Sequence, residues 1–271
     1  MAGAEDVTTR EVDVNVPSVA RIYDYALGGK DNYAVDREAF DQLERTAPST
    51  RPLAVNNRRF LQRAVRILSE DYGIRQFVDH GSGLPTQDNV HQIAQRSDPD
   101  AKVVYIDNDP IVLAHGRALL EENANTAVIQ ADFRDTDGIF DHPDLVRLID
   151  PNEPVAALFV SVLHCIPDED DPTALVHRVA DRLAPGSFLV MNQLVSDDPV
   201  LRDEATAFMN AATQGNWGRV REQADVRRYF EGLELLEPGL CEISTWRPDS
   251  DLGPKQQTEE WIEYGGVGRK R

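Results

Sequence analysis

The spacing of apolar and polar residues along the chain changes near residue 76. From residue 16 to about 72, apolar side chains recur at three- and four-residue intervals. Phe60, Ala64, Ile67 and Leu68 fall on one helical face, and Arg58, Arg59, Arg63 and Arg66 fill much of the other, a cationic side expected to face solvent. Beyond residue 76, short apolar runs at 77–79, 102–107, 127–130, 156–161 and 187–192 read as strands separated by helical stretches. One helix is predicted over 110–122, with Asp109 as its N-cap and Pro110 in its first turn, and another over 171–184, closed by Pro185-Gly186. Segments 233–236 and 261–265 are expected as final strands forming an antiparallel edge, and the Pro, Gly and Asp content of 247–254 marks a loop. Strands alternating with helices imply an α/β fold with a doubly wound, mainly parallel sheet. The organisation expected is a disordered, acidic tail over 1–15, a helical segment over 16–72 and an α/β domain over 73–271.

Composition narrows the class. A chain of 271 residues that is 41% hydrophobic can form one α/β domain with an added N-terminal layer. No run is long and apolar enough for a membrane span, and the strongest, 155–162, suits a buried strand. The opening Met-Ala-Gly-Ala-Glu-Asp lacks a basic region followed by an apolar stretch, so no signal peptide is expected. Cys165 and Cys241 are the only cysteines and lack metal-ligand spacing, which points to a reduced, cytoplasmic chain without a metal. A formal charge of -19 repels a phosphate backbone over most of the surface, so non-specific nucleic-acid binding is not expected.

The strand ends carry the chemistry. Phe-Val-Asp-His-Gly-Ser-Gly-Leu at 77–84 places Asp79 at the end of a strand and Gly81-Ser82-Gly83 in the turn after it. Glycines there let the backbone approach a ligand, and a carboxylate at Asp79 attracts an amino-acid ammonium and repels a pyrophosphate. The third glycine of a dinucleotide fingerprint is absent, its position being held by Thr86. These features favour S-adenosyl-L-methionine over a nicotinamide dinucleotide. Asp107, 24 residues beyond Gly83 (107 minus 83), ends the second strand where a carboxylate can grip ribose hydroxyls, with Asn108 following it. Asp132 ends the third strand and can accept from an adenine amino group, beside an apolar contact from Phe133 or Ile106.

Ala-Arg-Ile-Tyr-Asp-Tyr-Ala-Leu-Gly-Gly-Lys-Asp-Asn-Tyr at 20–33 is denser in aromatic, charged and amide groups than a surface turn requires, and Gly28-Gly29 interrupts its helical pattern. A ligand-covering segment and a helix C-cap with a polar loop both fit that pattern. Together with Gly-Ser-Gly-Leu-Pro-Thr at 81–86, Tyr-Ile-Asp-Asn-Asp-Pro at 105–110 and Tyr-Gly-Gly-Val-Gly-Arg-Lys at 264–270, this block resembles a family of bacterial S-adenosyl methyltransferases formerly described as a domain of unknown function. The resemblance runs from about residue 16 to 270. It implies a Rossmann-like class I methyltransferase fold, with Asp79, Gly81, Ser82 and Gly83 at the methionine end, Asp107 and Asn108 at the ribose, and Asp132 and Phe133 at the adenine. Tyr23, Gly28, Gly29, Lys30 and Asn32 would then lie over the cofactor. His80 departs from the family pattern, which usually has an aliphatic residue at that position.

Methyl transfer needs an aligned nucleophile, exclusion of water and, for some acceptors, a base. His164, following the fourth strand, is the candidate base, although a histidine beside an apolar strand is more commonly structural. Ser161 is expected beside the cofactor, and Tyr25, Tyr33 and Asn192 are candidates for contacting a small-molecule acceptor. Two alternatives stand beside a methyltransferase: a non-catalytic S-adenosylmethionine sensor or partner-binding protein, and an NAD(P)-dependent oxidoreductase. Neither the acceptor nor the oligomeric state follows from the sequence.

Overall fold

A computed structural model describes residues 12–86, 88–119, 123–250 and 260–271. The helical pattern over 16–72 resolves into α1 (Val19–Ala26), α2 (Ala34–Thr46) and α3 (Thr50–Tyr72), with α3 ending at Gly73 in the left-handed conformation. Five strands then alternate with helices: β1 (Gln76–His80), α4 (Val90–Ser97), β2 (Lys102–Asp107), α5 (Pro110–Leu119), β3 (Thr126–Gln130), α6 (Thr136–Phe140), α7 (Pro143–Leu148), β4 (Ala156–Val160), α8 (Pro172–Arg182) and β5 (Phe188–Val195). The chain finishes with α9 (Pro199–Ala212), α10 (Gln223–Tyr229), β6 (Glu234–Leu235), β7 (Cys241–Glu242) and β8 (Ile262–Arg269). Of the expected tail, residues 1–11 lie outside the described residues, as do 120–122 of the helix expected over 110–122 and 251–254 of the expected loop.

The sheet order is β3-β2-β1-β4-β5-β8-β6, with β7 also pairing with β8. β1 to β5 are mutually parallel, and β8 runs antiparallel to β5, β6 and β7. This is the α/β, Rossmann-like class I methyltransferase arrangement. The chain builds β1, β2 and β3 outward and returns to place β4 beside β1, which makes the carboxyl ends of β1 and β4 the topological switch point where ligands bind in such sheets.

Apolar side chains fill both faces of the sheet. Phe60, Leu68, Phe77, Val103 and Trp246 pack on the α3 side, and Val104, Phe159, Leu175 and Val179 on the other. A third cluster, containing Ile22, Phe40, Leu53, Leu194, Met209 and Trp261, joins α1 to α3 with α9 and the ends of β5 and β8. The cationic side of α3 departs from expectation. Arg63 is buried and donates to Trp246 O at 3.1 Å and Ile243 O at 2.7 Å, and Arg58 donates to Asp88 O at 2.9 Å. Carbonyl groups left over by irregular segments claim these guanidinium groups before solvent does.

The last strand is longer than expected from residues 261–265. The packing requires its glycines: a β-carbon on Gly265 would fall 2.0 Å from Met191 O, and one on Gly266 2.9 Å from Gly239 O. Close backbone approach, not turning, explains that glycine run.

Candidate active site

The turn after β1 is built by backbone geometry. Gly81 (φ 73°) and Gly83 (φ 66°) both occupy the left-handed region, which glycine enters without a β-carbon penalty. The N–H groups of Gly81 and Ser82 donate to Ile106 O at 2.8 and 3.0 Å, fastening the turn to β2. A β-carbon on Gly81 would also meet Val162 Cγ2 at 2.4 Å, whereas one on Gly83 would meet nothing within 4 Å. Gly81 therefore serves packing against the end of β4, and Gly83 leaves open space for a ligand.

Asp107 organises the same region from β2. Its Oδ2 accepts from Gly83 N and its Oδ1 from Asp109 N, each at 2.9 Å. Burial pushes its carboxyl up to about 6, against the backbone N–H groups of Asp109 and Gly83, which favour the charged form. Asp79 is buried deeper. Burial raises it to about 7; the Arg58 guanidinium acts in the opposite sense, and the Asp107 charge adds to the rise. Two adjacent carboxyls are thus under-neutralised by the chain itself. Asn108 is exposed beside them, and the Ser82 hydroxyl is buried with no hydrogen-bond partner among the described residues.

At the end of β3 the carboxylate of Asp132 is occupied. Arg134 donates to it from its backbone N and Nε at 2.9 Å and from Nη2 at 2.5 Å, leaving little capacity for the adenine amino group expected from sequence. Burial alone would raise Asp132, but the Arg134 hydrogen bonds outweigh it and hold the group below the usual carboxylate range. Phe133, buried next to it, offers an apolar contact.

His164 lies in a 3-10 turn, Leu163–Cys165, after β4. Its Nδ1 accepts from Leu194 N at 3.4 Å, and its ring packs on Trp217 with centroids 4.6 Å apart. An imidazole accepting at Nδ1 carries its proton on Nε2 and has no free lone pair to act as a base. Burial, with the Arg221 charge adding to it, pushes the ring down to about 3. These are the surroundings of a structural histidine and do not suit the general base expected from sequence. His80 is likewise buried, stacked on Phe159 at 4.3 Å and pushed by burial down to about 4.

The N-terminal helices meet this end of the sheet. Ser18 Oγ donates to Asp109 Oδ2 at 2.5 Å, Val12 packs with Leu84, Ile111 and Val112, and Asp31 Oδ2 lies 3.5 Å from His115 Nδ1 on α5. The loop after α1 wraps Asp24, whose Oδ2 accepts from Asp31 N at 2.9 Å and Asn32 Nδ2 at 2.8 Å. Gly28 has φ 81°, and a β-carbon on Gly29 would fall 1.9 Å from Asp24 Oδ1. Lys30 is exposed. Tyr25 packs edge-on against Phe40 at 5.4 Å and beneath Arg51, and Tyr33 is exposed at the start of α2 under the Arg21 guanidinium.

Two residues that sequence reasoning did not single out, Glu263 and Asn57, complete the arrangement. Glu263 on β8 is buried, accepting from Ser161 Oγ on Oε1 and from Asn192 Nδ2 at 2.7 Å on Oε2. Asn192 Nδ2 also reaches Asn57 Oδ1 at 2.7 Å, and Asn57 Nδ2 donates to Tyr23 OH at 2.9 Å. An acid between Ile262 and Tyr264 in an apolar strand, and an Asn pair within an apolar helix, are the signals that mark such a network in sequence.

A family model described as S-adenosyl methyltransferase matches residues 5–271. A solved structure from Thermobifida fusca YX, described as a candidate methyltransferase, is 41% identical with a TM-score of 0.88, covering 96% of this chain and 97% of that one. A DUF574-family protein from Streptomyces avermitilis MA-4680 is 37% identical with a TM-score of 0.88, covering 96% and 100%. No curated protein matches the chain.

Proposed function

The chain belongs to the S-adenosyl methyltransferase family, and on that premise we propose that it holds S-adenosylmethionine across the carboxyl ends of β1 to β4 and methylates a small-molecule acceptor. The observation that carries this reading is the pair of carboxyls, Asp79 buried and Asp107 half-buried, both raised by desolvation beside the Gly81–Gly83 turn. That donor set fits the ligand: an ammonium restores the charge Asp79 lacks, and the lone pairs left on Asp107 accept from ribose hydroxyls. When bound, S-adenosylmethionine supplies an electrophilic sulfonium methyl. Gly83 admits the ligand to the backbone, Ser82 Oγ and Asn108 offer further polar contacts, and Phe133 flanks an adenine ring, Ile106 being fully buried behind it. Ser161 stands beside it at the end of β4.

In this reading α1 and the loop over 28–33 cover the site, with Tyr23, Gly28, Gly29 and Asn32 shaping the cover. Ser18 on Asp109 and Asp31 beside His115 support it, because they tie the segment to the turn that follows β2 and to α5, while the Asp24 hydrogen bonds hold the shape of the loop. Such a cover excludes water and aligns the acceptor, which is most of what methyl transfer requires. The oxidoreductase alternative lacks its third glycine and faces a carboxylate where a pyrophosphate would sit. Calorimetry on the full chain with S-adenosylmethionine and S-adenosylhomocysteine tests the proposal: both should bind at one site per chain, and a chain that binds neither overturns it.

A further inference from the structure

The buried network around Glu263 lies between the strand ends and the N-terminal helices, and it touches the proposed cofactor site only through Ser161 and Tyr23. Ser161 has φ 58°, a left-handed conformation that costs a non-glycine residue energy, and its hydroxyl is directed onto Glu263 Oε1. Glu263 is 1% exposed, and its hydrogen-bond partners, Ser161 Oγ and Asn192 Nδ2, are neutral donors. Among the described residues no cation is paired with this carboxylate. Ser161 is half-buried, so it is the member of the pair that remains within reach of a ligand at the end of β4. With its single proton directed to Glu263, the serine oxygen can only accept from that ligand. Asn192 Oδ1 is fully buried and has no hydrogen-bond partner among the described residues.

We propose that Ser161 and Glu263 form a two-residue proton relay on the acceptor side of the site, serving a methyl acceptor that presents an O–H or N–H group. The proposal rests on the methyltransferase reading above. As the acceptor is methylated, its proton passes to Ser161 Oγ while the Ser161 proton passes to Glu263 Oε1. The carboxylate becomes a carboxylic acid, the serine is restored, and the acid later returns its proton to water by the reverse path. Glu263 acts through Ser161 and is a positioning residue. The other titratable groups facing Glu263 are Tyr23 from α1, Cys165 from the turn after β4 and Glu242 from β7, with Arg58 of α3 beside Tyr23. Burial pushes Tyr23 and Cys165 each up to about 12, so neither competes for this proton near neutral pH. For Glu263 itself, burial raises the carboxyl to about 7, against the hydrogen bonds from Ser161 and Asn192.

Infrared titration of the full chain with S-adenosylmethionine reads the relay directly. The wild type should show a carboxylic-acid carbonyl band that titrates near neutrality, that is absent in E263Q, and whose midpoint rises in S161A because the charged form loses a donor. Asp79 and Asp107 titrate in the same range, so the Glu263 band is read from the wild-type minus E263Q difference; no band in that difference, or a midpoint that S161A does not move, overturns the proposal. Methyl-labelled S-adenosylmethionine incubated with a small-molecule cell extract gives the second readout. Label should appear on oxygen or nitrogen, and with that product E263Q should lower kcat by about a hundredfold while cofactor affinity stays within about twofold. Label confined to carbon, no label, or an unchanged kcat and pH profile in E263Q counts against the relay. Failure of the wild type to bind S-adenosylmethionine in calorimetry would instead remove the reading beneath it.

Discussion

Gly83 N donates to Asp107 Oδ2 at 2.9 Å, so the acid that ends the second strand also holds the glycine turn that follows the first. One side chain therefore shapes the turn and, in the proposed reading, offers lone pairs to a ribose. Replacing Asp107 with Ala should free the N–H groups of Gly83 and Asp109 together. The expected cost is about 1 to 3 kcal/mol in S-adenosylmethionine affinity, with a smaller loss in Asp107→Asn, which keeps one acceptor oxygen. Isothermal calorimetry on both variants measures this, and equal affinity in all three proteins would remove Asp107 from the site.

Gly81→Ala combines two penalties, a left-handed backbone and a β-carbon 2.4 Å from Val162 Cγ2. Stability should fall by about 1 to 3 kcal/mol. Adding Val162→Ala should recover the steric part but not the backbone part, which makes the double variant less destabilised than the sum of the single ones. Urea unfolding of the four proteins separates the two contributions, and strict additivity would mean that the two positions do not touch.

Asp79 should make cofactor binding depend on pH. Burial raises its carboxyl to about 7 in the ligand-free chain, and an ammonium beside it favours the ionised form. Below that value the ligand must displace a proton, so affinity should rise with pH by up to about tenfold per unit and level off above about 7. Calorimetry in buffers of different ionisation enthalpy should register proton release near pH 6. A flat profile, or proton uptake, would place the ammonium elsewhere.

His164 should contribute to stability more than to turnover. Its folded value of about 3 lies below the ordinary 6.5, so the stability tied to its neutral form is present above about 6.5 and is lost as pH falls towards 3. His164→Asn, which can still accept from Leu194 N, should therefore lose less stability than wild type on acidification from about pH 6.5 to 4. Thermal melting across that range is the measurement, and parallel curves would show that the ring titrates alike in the folded and unfolded states.

Gly29→Ala tests the cover. Its β-carbon would displace the Asp24 carboxylate that holds Asp31 N and Asn32 Nδ2. In hydrogen exchange, S-adenosylmethionine should protect amides over 26–33 in the wild type and much less in the variant, with protection near Gly81 retained. Deleting residues 1–33 should weaken cofactor binding. Normal binding by a folded truncated chain would assign the segment to another partner.

Local pattern alone fixed much of this protein, because strand and helix periods, strand-end acids and glycine turns are short-range properties. The order of apolar runs was enough to identify the α/β class, and Asp79, Gly81, Gly83 and Asp107 were readable because each stands at a strand end, where sequence position and spatial position coincide. The tertiary structure decided which side chains are already spent. Asp132 is saturated by Arg134, His164 is engaged by Leu194, and Arg63 is drawn inside by the carbonyls of Ile243 and Trp246. It also decided that Ser161, Asn192, Asn57, Tyr23 and Glu263, up to 240 residues apart (263 minus 23), share one hydrogen-bonded network. Burial and partnership arise from chain crossings that no local period encodes, and they set the charge and the hydrogen-bonding capacity of every group at the site.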